Sequence, residues 1–437
     1  MSHHRHPAAT SEAGTCARAA EGSARAREGA KRPSGGALGN HAHNPSGAAG
    51  GAVSGVDEVA AVRDRRAERW ALLDAARPVS RVKRLRECRR ATLTGTGNPV
   101  LRTAPGGRSG FAGLATCGSP WVCPCCSGKI AARRASELAA VMAAVEVAGG
   151  VMDLVTFTVR HHQGHRLADV WDAVSAAWAR VTSGAAWMED KAGLLGWARV
   201  VEVTHTGRNG WHVHVHALLA WSSPVPEAAS AWVAMRGWGR WDRALRRWGF
   251  DSTPVHGVDT RRVVSGDEGL AGYFGKAALE LTSSWTKDSR AGRSPFALLR
   301  DATETYEAGD LGLWWEYEAA SHGRKQLTWS TGRMDLRRLA GLGREESDEA
   351  VAAEDTGGDD AVELVGETWP TLSRRRWQPE LLAVTDVGGV GAAVAWLDER
   401  GLPWRWARPY RREGPRPRSV QAQREAREVL SYSSSLL

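Results

Sequence analysis

Apolar residues recur along the middle of the chain with two periods. Over 130–148 they fall at helical spacing and stop at Gly149-Gly150, which predicts a helix with Arg133 and Arg134 near its start. Residues 151–160 follow as a β-branched and aromatic run that predicts a buried strand. Leu167–Val181 returns to helical spacing, with Val170, Val174, Trp178 and Val181 on one face. Two further strands are predicted over 198–206 and 211–221, joined by Gly207-Arg208-Asn209-Gly210, and Asn-Gly is a strong hairpin signal. Residues 226–248 and 266–281 read as helices, and the Trp-rich stretch 313–338 closes the core. Upstream, a basic helix is predicted over 58–76, ahead of an Arg/Lys-rich segment at 81–90. This order predicts an α+β fold, a central antiparallel sheet flanked by helices, better than a doubly wound one.

The flanks change character. Residues 1–57 hold few large apolar side chains and cannot offset their ordering entropy by burial, so a disordered arm is expected. Next come a basic helical and cysteine-rich region, 58–150, and a central domain, 151–340. Residues 341–366 are acidic and read as a linker, and 367–437 as a small unit with a basic, partly disordered tail. Residues 1–20 lack an apolar core behind a basic start, and the apolar stretch 138–157 is broken by Glu146, Gly149, Gly150 and Asp153. A cytoplasmic location with no membrane partner is therefore expected. The net charge of +9 favours an acidic partner, of which nucleic acid is the usual one.

The sharpest chemical signal is Trp211-His-Val-His-Val-His-Ala-Leu-Leu. Side chains alternate along a strand, so His212, His214 and His216 share one face, while Val213, Val215 and Leu219 suit a core on the other. Glu202 lies on the strand across the predicted hairpin. A carboxylate beside two imidazoles suits Mg²⁺ or Mn²⁺ as well as Zn²⁺. Separately, Cys88, Cys117, Cys123 and Cys126 make a four-thiolate set for a structural Zn²⁺, with Cys125 as a substitute. Tyr273 lies on the predicted 266–281 helix with Lys276 on the same face. A phenol of pKa about 10 needs a nearby cation, a base or a polarised target to act as a nucleophile.

Taken together, these motifs resemble the HUH-type replication initiators of rolling-circle plasmids from high-GC Gram-positive bacteria. The resemblance extends from Cys88 to Arg338. It rests on Thr156-Phe-Thr-Val-Arg-His161, on Glu202-Val-Thr-His with Asn209-Gly-Trp-His-Val-His-Val-His-Ala-Leu-Leu219, and on Tyr273-Phe-Gly-Lys276. The cysteine segment 117–126 with Lys129, and the segments 313–318 and 323–330, also match this group. The resemblance implies an HUH nicking and joining domain over 151–340, with His214 and His216 as a metal pair and Glu202 or His212 as third ligand. It implies a metal-dependent, site-specific DNA endonuclease and strand transferase in which Tyr273 forms a 5′-phosphotyrosine. The implied partners are plasmid origin DNA, double-stranded and extruded single-stranded, with a host helicase and DNA polymerase. Arg133, Arg134 and Lys129 are the expected DNA contacts. Some relatives carry a Glu four residues before the tyrosine; here that position is Gly269, leaving Glu268 as the candidate for termination. A transposase or relaxase with the same chemistry, and a zinc-dependent DNA-binding regulator without catalysis, are the alternatives.

Overall fold

The structure, a computed structural model, describes residues 55–93, 95–104, 108–263, 292–354 and 358–407. The chain divides into two units, Met1–Val53 and Ser54–Leu437, and the first lies outside the described residues. The predicted 266–281 helix and the tail beyond 407 lie outside them too.

Nine strands are found among the described residues: β1 (Val100–Ala104), β2 (Arg108–Ala112), β3 (Val151–Thr158), β4 (Leu194–Thr206), β5 (Gly210–Trp221), β6 (Val258–Val263), β7 (Leu327–Trp329), β8 (Asp359–Leu364) and β9 (Trp404–Trp406). They form two antiparallel sheets, ordered β6-β3-β5-β4-β7 and β2-β1-β8-β9. The fold is α+β, as the patterning predicts. β4 and β5 pair from Leu194↔Trp221 down to Thr206↔Gly210, and β4 starts four residues before its predicted start at 198. Gly210 closes the hairpin at φ 74°, where a Cβ would come within 2.6 Å of the Gln163 Cα.

The alternation of β5 sorts the two faces of the larger sheet. Val213, Val215, Ala217 and Leu219, with Phe157, Val201 and Val203, belong to one buried cluster with the helices Leu167–Val181 and Glu227–Arg246. Phe157 packs edge-on to Trp178 and at a tilt to Trp241, whose indole N–H donates to the Thr158 carbonyl at 3.1 Å. On the opposite face Leu218, Ala220, Met152 and Leu154 meet Leu138, Val141 and Val145 of the helix Pro124–Val147. His212, His214 and His216 lie further along β5 on this second face.

The acidic stretch 341–366 is not a linker. It supplies the helix Asp348–Ala353, which buries Val351 and Ala352, and then β8, which pairs with β1. Its charge has interior partners: Arg133 lies 3.2 Å from Glu346 and 2.8 Å from Glu354, and Arg134 lies 2.8 Å from Asp348. Nor do residues beyond 367 stand apart, because β9 completes the sheet begun by β1 and β2. The helix Gln378–Glu399 is long and apolar enough to cross a membrane by length and composition. It is broken at Gly389, and it buries Leu381, Leu382, Trp396 and Leu397 in the main core cluster. Its Asp386 accepts from the Ser109 backbone N–H at 2.7 Å and hydroxyl at 2.6 Å, so it behaves as a core helix.

Glu137 is a buried carboxylate held between two buried guanidiniums, 2.9 Å from Arg134 and 2.7 Å from Arg337. Removing it strands positive charge in the interior. Glu137→Ala is expected to destabilise the chain by about 3–5 kcal/mol, read from urea unfolding by tryptophan fluorescence.

Candidate functional site

Hydrogen bonding across β3, β5 and β4 places Thr158 and Glu202 on either side of His214, and Thr156 and Val200 on either side of His216. The Glu202 Oε2 lies 3.0 Å from Nε2 of His216 and 4.0 Å from Nε2 of His214. The Thr156 hydroxyl lies 3.0 Å from the other ring nitrogen of His216, which fixes that ring's orientation. The imidazoles of His212 and His214 have centroids 3.8 Å apart, and those of His214 and His216 5.5 Å apart. The structure therefore brings Glu202, His212, His214 and His216 to one place.

The electrostatics there favour neutral imidazoles. Burial, with His214 and His161 adding repulsion, pushes His212 down to about 2. Burial also pushes His214 down to about 4, against the opposing pull of Glu202. Neutral imidazole is the form that donates a lone pair to a metal. His212 Nε2 is buried without a hydrogen-bond partner among the described residues. A carboxylate oxygen at 3.0 Å from an imidazole nitrogen calls for a proton or a cation between them. The chemistry of these donors suits a divalent ion, but among the described residues only the four cysteines bring three or more ligand atoms within 4.8 Å of one another.

Patterning did not single out His161 or Thr156 for this site. The His161 ring centroid lies 4.7 Å from that of His212, and its Nδ1 is 2.8 Å from the Asn209 carbonyl. Both fall in the Thr156–His161 segment that carries the family resemblance, and strand parity adds that Thr156 faces the histidines once the register of β3 with β5 is known. Tyr273, Lys276 and Glu268 lie outside the described residues. Of the other tyrosines, Tyr317 is fully buried, stacked on Trp211 on the sheet face away from the histidines.

The four cysteines also come together. Cys88, Cys117, Cys123 and Cys126 are buried, and their sulfurs all lie within 4.8 Å of one another. The separations include 3.7 Å for Cys88–Cys123, 3.6 Å for Cys88–Cys126 and 3.7 Å for Cys117–Cys126. A tetrahedral ion with metal–sulfur bonds of about 2.3 Å sets its sulfurs roughly 3.8 Å apart, so the cluster is built at the right size. Cys123 caps the helix Pro124–Val147, its sulfur accepting from the Cys126 N–H. Sulfur hydrogen bonds from Cys117, Cys123 and Cys88 hold Cys126 well below the ordinary thiol range. Burial opposes the charge of Arg89, but the thiolates of Cys125, Cys126 and Cys88 outweigh it and hold the guanidinium above its usual value. Such a cation offsets the charge of a four-thiolate site.

The expected DNA contacts are engaged elsewhere. Arg133 and Arg134 are committed to Glu346, Glu354, Glu137 and Asp348, and the Lys129 ammonium is 3.3 Å from the Ala352 carbonyl. Burial, with Arg89 nearby, pushes Lys129 down to about 8. All three join the helix Pro124–Val147 to the 345–354 segment.

A family model described as "Replication protein" matches residues 111–370. The chain is 31% identical over 353 residues to "Protein rep" of Streptomyces lividans, covering 63% of this chain and 76% of that protein. It is 35% identical over 144 residues to a "Neomycin resistance protein" of Streptomyces cyanogenus, covering 27% of this chain and 33% of that one. No solved structure matches.

The cysteine geometry predicts one tightly held thiophilic ion per chain. Elemental analysis is expected to find it in the wild type and to lose it in Cys126→Ser. That variant should unfold at far lower denaturant, because structural sites of this kind contribute about 10–16 kcal/mol in peptides.

Proposed function

This chain belongs to the replication protein family, and we propose that it initiates plasmid rolling-circle replication by nicking one origin strand and rejoining it after replication. The observation that carries the reading is the face of β5. Three alternating histidines on the central strand of an antiparallel sheet share a face with a carboxylate on the neighbouring strand β4, in a chain of the replication protein family. This supports reading the sheet as an HUH-type nuclease core.

His214 and His216 would hold a Mg²⁺ or Mn²⁺ ion, with Glu202 or His212 as the third ligand, and the chemistry such an ion would supply is charge stabilisation at the scissile phosphate. Thr156 orients His216, and His161 walls the cluster on the His212 side. Tyr273 is the nucleophile: its oxygen bonds to phosphorus as the bond to the 3′ oxygen breaks. The phenol gives up its proton and the departing 3′ oxygen takes one up. The product is a 5′-phosphotyrosine and a free 3′-OH that primes synthesis by the host polymerase behind a host helicase. Lys276, three residues on, sets a positive charge beside the phenol or phosphate, and Glu268 serves termination. One phosphoester replaces another, so the linkage remains available for rejoining.

Two facts support Tyr273. Tyr317 is buried on the wrong face of the sheet. The described ends that flank 264–291 sit on opposite edges of the histidine-bearing sheet, at β6 and beside β4, where Gly292 approaches Thr204 and Arg293 bridges His205. Zn²⁺ is the ion assigned to the four cysteines, in a structural role. The protein works in the cytoplasm on double-stranded origin DNA and on its extruded single strand, without a membrane partner.

Covalent trapping tests this reading. With Mn²⁺ and single-stranded oligonucleotides tiling its own replicon, the wild type is expected to give a shifted band on denaturing gels, and Tyr273→Phe none. A wild type that binds origin DNA yet forms no adduct refutes nicking and favours a non-catalytic regulator.

His214→Ala and His216→Ala are expected to lose bound Mn²⁺, measured by electron paramagnetic resonance, and the adduct with it. Glu202→Gln against His212→Gln separates the two choices for third ligand: the true one weakens Mn²⁺ on the order of tenfold to hundredfold or more, the other little.

A further inference from the structure

A basic groove lies well away in sequence from the histidine cluster and is not used by the nicking chemistry. Two adjoining cavities of about 510 and 630 Å³ share Arg90, Ser373 and Arg374. One wall is the 86–90 strip, part of the Arg/Lys-rich segment; the other is the C-terminal end of the helix Thr368–Arg375 with Arg376. The four arginines Arg86, Arg90, Arg374 and Arg376 lie outside residues 111–370, the segment matched by the family, although Leu364, Gly366, Trp369 and Pro370 of the larger cavity lie within it.

The groove is strongly positive. Arg86, Arg90, Arg374 and Arg376 are exposed. Among the described residues, Arg86, Arg90 and Arg376 make no ion pair with a carboxylate, and Arg374 has only the exposed Glu367 at 3.9 Å. The one acid in the lining of the smaller cavity, Asp74, is tied to Arg77 at 2.9 Å.

It is also built. The Arg77 guanidinium donates to the carbonyls of Arg86 at 2.6 Å and Cys88 at 2.9 Å, and Cys88 belongs to the sulfur cluster. The Trp369 indole donates to the Arg90 carbonyl at 2.8 Å, which joins the two walls. Arg376 stands at φ 57°, a helix C-cap position where glycine is the unstrained residue.

We propose that this groove binds the phosphate backbone of duplex origin DNA, away from the nick. Guanidiniums on two walls match phosphates. Single strands would call for exposed aromatic faces on which bases stack, and the tryptophan of this groove, Trp369, is buried. The choice of origin DNA as partner rests on the replication reading above.

The test uses the full chain, a duplex oligonucleotide from its replicon and fluorescence anisotropy over a range of salt. Arg86→Glu/Arg90→Glu and Arg374→Glu/Arg376→Glu are each expected to weaken duplex binding at least about tenfold near 0.1 M salt. The slope of log affinity on log salt should flatten by about 0.9 for each phosphate no longer neutralised. Adduct formation on a saturating short single strand should stay unchanged. Arg86→Lys/Arg90→Lys keeps the charge and should keep the slope. The proposal is overturned if the Glu variants bind duplex like wild type. It is overturned equally if the Lys variant weakens binding as much, or if Arg243→Glu/Arg247→Glu on another helix does. A wild type without adduct whose duplex binding still depends on these arginines refutes the nicking and leaves the groove standing.

Discussion

Val213, Val215, Ala217 and Leu219 take one face of β5 for the core, so His212, His214 and His216 have only the other. β5 is central in its sheet, bonded to β3 along one edge and β4 along the other, and both neighbours hold its register. A slip of one residue would turn three imidazoles into the Phe157–Trp241 cluster and three apolar side chains out of it. Core packing therefore sets the positions of the candidate ligands. The sheet that buries its valines aims its histidines with the same hydrogen bonds.

The second sheet does a different job. It draws strands from both flanks of the chain, β1 and β2 from one and β8 and β9 from the other. Buried charge joins the same parts: Arg133 and Arg134 bind the 345–354 segment to the helix that begins in the cysteine cluster. Among the described residues the two flanks thus pack together, with the sulfur cluster at the start of the helix that Arg133 and Arg134 tie to the 345–354 segment.

Much of this was legible in the sequence where one period governed a stretch. The helix Leu167–Val181 falls on its predicted bounds, and the β4–β5 hairpin forms at the Asn-Gly turn. The four-cysteine set and the shared face of the histidines followed from spacing. What was illegible depended on partners far away in the chain. Glu345, Glu346 and Asp348 look like a solvated linker until Arg134, more than two hundred residues earlier, is seen beside them. The same pairing gives Arg133 and Arg134, expected as DNA contacts, partners within the chain. β6 escaped notice because its residues, Val-Asp-Thr-Arg-Arg-Val, look polar, yet Arg262 reaches the buried Asp153 at 2.7 Å. His161 joins the cluster through the Asn209 carbonyl, an interaction no periodicity encodes.

The pairing of β1 with β8 has a bearing on how the chain comes to be folded. Val100 meets Glu363 and Leu101 meets Val362, so this ladder closes a loop of some 260 residues. During synthesis β1 can take only β2 as a neighbour, and its other edge, with Leu101 buried in the finished protein, waits for β8 to leave the ribosome. Non-local closure of this kind is slow, and an open edge invites pairing with another chain. Until residues 359–364 have emerged that edge stays open, and a chain cut short before them keeps an unfinished sheet.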